Sequence, residues 1–420
     1  MASTTHTADV VIIGGGIWGL STAWHLACEQ SRKSIVVLER NSQLANETTR
    51  QAAGQIGQLR SDPLMAEAVR YTLGLYSGFA EQTGHDPHIV LSGSLHLAHC
   101  NERMAAFTAQ LGNAKSLGIE VEIADSDLIS KIAPTINQSE IVGALHVSGD
   151  GYVNAHRCAL AVGAAAVDLG VTLQLDTPVT ELIVRDGRVR AVVTPRATIE
   201  TSCVVITAGP WTGRVASMVG IDLPMIPVRL QQARTMADPN QASNHPVVRI
   251  PDKSCYLRPE AGGYLFGFFD PDPLAIDLEE QQADFSTANI EPPKVLVETS
   301  RQSLAPTFPI LNELGIDQYR QGMVTCTPDA GYVVGPAPGI EGIWVATGCG
   351  AMGIAGGGAV GLWLSQWILN GDPGADLSAL ALDRFGARVA DRDWVRDASR
   401  AVCSRYYALE SVTYSVGGQS

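Results

Sequence analysis

At 420 residues the chain exceeds one ordinary globular domain, and a composition of 45% hydrophobic and 17% charged residues excludes a disordered chain. A formal net charge of −14 without a dense basic cluster excludes a nucleic-acid backbone or an anionic membrane surface as partner. Cys28, Cys100, Cys158, Cys203, Cys255, Cys326, Cys349 and Cys403 form no CxxC pair and the histidines no HExxH spacing. Reduced thiols, no disulfide framework and no metal site are therefore expected.

The N-terminus, MASTTHTADVVIIGGG, lacks the basic start and cleavable apolar core of an export signal, so a cytoplasmic location is expected. Val10 to Ile13 reads as a buried strand, Trp18 to Glu29 as a helix and Ser34 to Leu38 as a second strand, together a βαβ unit. Leu64 to Glu81 has helical spacing, whereas Ile89 to Ala98 alternates as one antiparallel strand. Helices follow at Glu102 to Gly118, Asp125 to Ile132 and, after the turn-rich SGDGYVNAHR, Ala155 to Asp168. Val171 to Ile206 holds three or four strands with a turn at Asp186-Gly187, and Leu223 to Phe269 reads as antiparallel strands. Pro292 to Ala305 suggests a helix. Gly342 to Leu369 is apolar and long enough to span a bilayer, but its glycines favour strand, glycine loop and helix instead.

Gly14-Gly15-Gly16-Ile17-Trp18-Gly19 satisfies GxGxxG between a strand and a helix, where backbone N–H groups can hold a pyrophosphate. Glu39 and Arg40 close the second strand, and the Glu39 carboxylate is placed to accept an adenosine ribose. The motif with its acid marks a dinucleotide site but does not separate FAD from NAD.

Several stretches then resemble one family: VIIGGGIWGLSTAWHLA at the start, TTRQAAGQIGQLRS, DGYVNAHRCALAVGAAA, TAGPW, YLRPEAGGYLFGFFDPDP, QGMVTCTPD and ATGCGAMGIAGGGAVG. They are similar to the D-amino-acid oxidase superfamily of flavoproteins and, within it, to the flavin domain of the sarcosine and dimethylglycine dehydrogenases. The resemblance runs to the tail from Trp394 to Tyr407 and stops short of the folate-binding region of the larger members. It implies an α/β fold in which an FAD-binding Rossmann-like domain carries an inserted substrate domain built on an antiparallel sheet. The expected division is 1–85, 145–221 and 320–420 for the cofactor and 86–144 and 222–319 for the substrate.

The resemblance also implies that Thr48, Thr49, Gln51, Ala52, Ala53 and Gly54 line the flavin, that Val179 holds the adenine edge, and that Ala208, Gly209 and Trp211 border the cofactor. Gly350, Ala351, Met352, Gly353 and Ile354 would bring glycine backbone against the isoalloxazine. Relatives carry a flavin-bonding histidine at the position of Gln51 and a flavin-bonding cysteine at that of Gly322, so non-covalent FAD is implied. Leu230 and Met352 replace histidines of relatives, and Ala355 replaces a lysine.

The activity so implied is oxidation of a carbon next to nitrogen in a small secondary or tertiary amine or amino acid, N-methylated amino acids foremost, with O2 or an electron carrier as acceptor. Tyr256 aligns with an active-site tyrosine, Arg60, Arg229 and Arg258 are candidate anion anchors, and Met352 faces the reacting end. Two rival readings stay open, a flavin-dependent 2-hydroxy-acid dehydrogenase and a flavin-bearing subunit of a larger complex, as does assembly into a homo-oligomer.

Overall fold

Short runs from distant parts of the chain, apolar and largely buried except in the edge strand Thr172–Gln174, line up in one six-stranded sheet. The structure, a computed structural model, describes residues 4–29, 33–242 and 244–408. The sheet order is Thr172–Gln174, Ile35–Leu38, Val10–Ile13, Val204–Ile206, Ile343–Thr347, Val333–Pro336, parallel except for the last pair. Val10–Ile13 is buried along its whole length, as an all-apolar central strand requires.

A second, eight-stranded sheet runs Ile316–Cys326, Ile226–Thr235, Gly263–Phe268, Cys255–Glu260, Val247–Ile250, Ser94–Ala98, Gly143–Val147, Val121–Ala124. It is antiparallel apart from the join of Val247–Ile250 to Ser94–Ala98. Two expected division points, 144/145 and 319/320, fall inside strands of this sheet.

The single strand expected over Ile89 to Ala98 is in fact two. Ile89–Val90 joins Gln55–Ile56 and Gly151–Val153 in a small three-stranded sheet, and Ser94–Ala98 enters the large one. Gly93, at a φ of 73°, makes the break that alternation alone does not reveal. The stretch from Val171 to Ile206 likewise holds five strands, and its middle hairpin turns on Asp186 and Gly187 with φ of 53° and 70°, both positive as a two-residue turn needs.

The apolar stretch from Gly342 resolves into the strand Ile343–Thr347, a glycine loop and the helix Gly357–Asn370. Among the described residues no helix is long and apolar enough to cross a membrane. The helix packs on Ile17–Glu29, and a Cβ at Gly361 would lie 2.3 Å from Ser21 Oγ and 2.7 Å from its backbone carbon. Those glycines therefore serve close helix contact.

The cysteines depart from expectation at one pair. Cys326, at the end of the strand Ile316–Cys326, is disulfide-bonded to Cys403 in the helix Arg392–Ser404, with Cα atoms 6.6 Å apart. A separation of 77 residues hides this pairing from spacing arguments. The other six cysteines are free thiols.

Candidate active site

The first glycine turn is shaped by close approach. Gly14 has a φ of 112°, and a Cβ there would come within 2.5 Å of the Thr207 carbonyl oxygen, while one at Gly19 would meet the Gly14 carbonyl at 2.0 Å. Only glycine lets the helix Ile17–Glu29 start this near the strand ends, and its first N–H, that of Ile17, donates to Thr49 Oγ1 at 3.2 Å. Glu39 reaches back and accepts from the N–H of Gly15 at 2.9 Å and of Asn41 at 2.8 Å. Burial raises the Glu39 carboxyl above its ordinary value, and these two N–H groups oppose the rise.

From this turn a cavity of about 770 Å³ runs to the C-terminal glycine loop. Gly14, Gly16, Ile17, Trp18, Glu39, Arg40, Thr48 and Thr49 line it, as do Gln51, Ala52, Ala53, Gly54, Val179, Ala208, Gly209, Trp211, Ala351, Met352, Gly353 and Ile354. Gly15, Gly19 and Gly350 stand behind this wall and shape it through backbone. Arg40 lies 3.7 Å over the Trp211 ring and pairs with Glu47 at 2.9 Å, which fixes this part of the wall.

Two distant loops are locked to each other across the cavity. Trp18 Nε1 donates to the Gly353 carbonyl at 2.7 Å, and the Tyr332 hydroxyl donates to the Met352 carbonyl at 3.0 Å. Thr48 Oγ1 donates to the Met323 carbonyl at 2.6 Å, tying the one-turn helix Thr48–Gln51 to the strand Ile316–Cys326. There a Cβ at Gly322 would meet Gln51 Cβ at 2.8 Å, so the two positions at which relatives carry flavin-bonding residues sit in contact.

The roof is one transverse row of the eight-stranded sheet. His96, Arg249, Tyr256, Gly267 and Gln232 are in register on adjacent strands, and of these Arg249, Tyr256 and Gln232 line the cavity while His96 lies outside the lining beside Arg249. Gly267 leaves room for the Tyr256 ring, since a Cβ there would lie 2.3 Å from the Tyr256 hydroxyl oxygen. Burial pushes the Tyr256 phenol far above its ordinary value, so it stays protonated and is no base. His96 is pushed well below its ordinary value by burial and then by Arg249 and Arg60, so its ring is neutral.

The candidate anchors separate here. Arg60 lines the cavity, and its Nε is buried without a partner. Arg258, expected to bind substrate, does not line it. All three of its nitrogens are engaged, Nε donating to the Ala53 carbonyl at 2.5 Å, one terminal nitrogen to the Pro259 carbonyl and the other to Glu260. Arg258 therefore holds the segment at Ala53 in place. Arg229 lies 3.9 Å from Asp270 and is also absent from the lining.

Sequence reading missed Arg249, Tyr406, Tyr407 and Gln232, all of which line the cavity. The available signal for the first was a lone charge within VVRI, an otherwise apolar strand buried at all four positions. Tyr406 stacks on Phe269 with ring centroids 4.0 Å apart, and Tyr407 meets the same ring edge-on. Among the described residues no histidine lines the cavity, and no group of three or more His, Cys, Asp or Glu could hold a metal ion.

The FAD dependent oxidoreductase (DAO) family profile matches residues 9–367. The chain is 32% identical over 391 residues to the mitochondrial dimethylglycine dehydrogenase of Mus musculus, covering 90% of this chain and 44% of that one. It is 28% identical over 405 residues to 4-methylaminobutanoate oxidase (formaldehyde-forming) of Paenarthrobacter nicotinovorans, covering 96% and 49%. The chain thus spans about half the length of these curated relatives. In fold it is similar to L-proline dehydrogenase from P. horikoshii, with a TM-score of 0.82 at 20% identity over 91% of this chain and 98% of that one.

Proposed function

Because the chain belongs to the DAO family of FAD-dependent oxidoreductases, we propose that it oxidises the carbon next to nitrogen in a small secondary or tertiary amine or amino acid, with N-methylated amino acids favoured. The observation that carries this reading is a single cavity joining the dinucleotide turn to a reacting end that bears Leu230, Tyr256, Met352 and Phe269 and no histidine. The bound cofactor supplies a hydride acceptor.

The chain's own residues do the rest. Gly14, Gly16, Ile17 and Trp18 face the diphosphate, Glu39 accepts from the ribose, Val179 borders the adenine, and the 48–54 and 350–354 segments enclose the flavin. Residues 1–85, 145–221 and 320–420 are assigned to the cofactor, and 86–144 and 222–319 to the substrate. Leu230, Met352 and Phe269 keep water from the amine, and a dry wall disfavours the ammonium, leaving the nitrogen lone pair free to drive the hydride out. Tyr256 offers a hydroxyl as donor to the bound substrate. The resulting imine hydrolyses to a carbonyl compound and a smaller amine. Gln51 and Gly322 bring no nucleophile to the ring, so the cofactor is held without a covalent bond.

The test is anaerobic mixing of the purified protein with sarcosine-like amines and with 2-hydroxy acids while the visible flavin band is followed. Bleaching by the amines supports the reading. Bleaching by hydroxy acids alone overturns it, as does a chain that is inert by itself and co-purifies with a partner it needs.

A further inference from the structure

The strand Gly263–Phe268 and the helix Lys294–Leu304 are joined by residues 269–293, which turn and bend through a single helical turn at Thr287–Asn289. A connection of this length inside a folded domain is uncommon and usually serves a function. Its residues Ala283 and Asp284 are exposed and also line the cavity, as do the exposed Pro178, Thr180 and Met218, so the five mark an opening around Val179.

The two ends of the stretch that crosses this opening are fixed, because Leu278 and Ile290 are buried in one apolar cluster with Trp211 and Met323. Between them, residues 279–289 are held by polar contacts. Arg214 Nη2 donates to the Leu278 carbonyl and, at 2.9 Å, to that of Gln281, and Arg40 Nη2 donates to the Phe285 carbonyl at 3.0 Å. Glu47 Oε2 accepts from the Thr287 N–H at 2.9 Å and from its Oγ1 at 2.8 Å. Arg40, Glu47 and Arg214 themselves line the cavity, so its own wall clasps the stretch. Glu279, Glu280, Gln282, Ala283 and Asp284 stand exposed, and Phe285, the one large apolar side chain in the sequence EEQQADFSTAN, is half-buried. Opening therefore exchanges protein partners for water without uncovering a core, and hydrogen bonds exchanged in this way cost little each.

We propose that residues 279–289 are a strap that swings away from this opening to admit FAD and closes over its adenosine end, with Glu47 and Thr287 as the latch. The proposal rests on the reading that sets the ribose at Glu39 and the adenine at Val179. For a cofactor held without a covalent bond, the closed strap sets how slowly it leaves. Thr287 lies outside the cavity lining and touches the wall through Glu47, so it is a positioning residue.

Cleavage by a glutamate-specific protease after Glu279 and Glu280, mapped by mass, reads the strap directly. Holoprotein should be cut there more slowly than apoprotein, a comparison that needs no variant. Thr287→Val removes the hydroxyl half of the latch and should raise the rate of FAD loss about threefold to tenfold, followed by flavin fluorescence on dilution, without slowing FAD uptake. Its holoprotein should also be cut faster than wild type, and Thr287→Ser, which keeps the hydroxyl, should restore both readouts. Circular dichroism and melting midpoints verify that apoprotein and variants are folded. Equal cutting of folded apoprotein and holoprotein, or an unchanged rate of FAD loss in folded Thr287→Val, overturns the strap. ADP carries the adenosine diphosphate without the flavin and FMN the flavin without it, so ADP added to apoprotein should protect the site and FMN should not. Protection by FAD and FMN but not by ADP leaves the strap standing and overturns the placement of the adenosine at this end instead.

Discussion

Gly361 and Gly74 both lie inside helices, yet alanine should act on them in opposite directions. At Gly361 the new methyl would lie 2.3 Å from Ser21 Oγ, 2.7 Å from the Ser21 carbonyl carbon and 2.8 Å from its oxygen. A rotation of Ser21 relieves only the first of these, so the helices Gly357–Asn370 and Ile17–Glu29 must separate. Overpacking of this kind costs about 1–3 kcal/mol. The intrinsic preference of alanine over glycine in a helix returns about 0.8–1.0 kcal/mol, so the net loss is of the order of 1 kcal/mol. Gly74, exposed in the helix Pro63–Thr83, has nothing within 4 Å of its virtual Cβ, and there the preference stands unopposed as a gain of about 0.5–1 kcal/mol. Urea unfolding followed by circular dichroism should place Gly361→Ala below wild type and Gly74→Ala above it. A Gly361→Ala midpoint equal to or above wild type would refute the claim that this glycine exists for helix contact.

Glu39→Gln keeps the shape of the acceptor but removes its charge, and should weaken FAD about tenfold, read from quenching of flavin fluorescence on titration into apoprotein. His25 is buried, with Nδ1 beside the Ser21 carbonyl at 2.7 Å and Nε2 beside the Tyr71 hydroxyl at 2.9 Å, partners that assign its proton to Nδ1. Burial lowers it from 6.5 to about 4, against the opposing hydrogen bond to Ser21. The unfolded chain therefore binds the extra proton first, and stability should fall as pH drops from about 6.5 towards 4, by roughly 3 kcal/mol from this group. Urea midpoints across that window should show a shallower slope for His25→Gln than for wild type.

The cofactor end was legible because its constraints are local. Gly19 packs on Gly14 and Glu39 accepts from Gly15 within one βαβ unit, where spacing along the chain is spacing in space, whereas the contact of Gly14 with Thr207 is not local. The family resemblance added the 48–54 and 350–354 segments, the second of which meets the opening turn through Trp18 and Gly353 across more than three hundred residues. The roof was harder to read, because the row His96, Arg249, Tyr256, Gln232 is assembled by sheet register from strands far apart in sequence. Arg258 and Arg249 look equally good as letters, and only the partners of their nitrogens tell them apart. The break at Gly93 and the pairing of Cys326 with Cys403 are tertiary facts without a periodic trace.

The central claim is that one cavity holds an FAD extended from the opening glycine turn to the C-terminal glycine loop without a covalent bond. Acid precipitation of the purified yellow protein, with flavin quantified in supernatant and pellet, tests it most directly. The account predicts one FAD per chain, recovered intact in the supernatant. A colourless protein that takes up no added FAD, or flavin retained on the pellet, would contradict it.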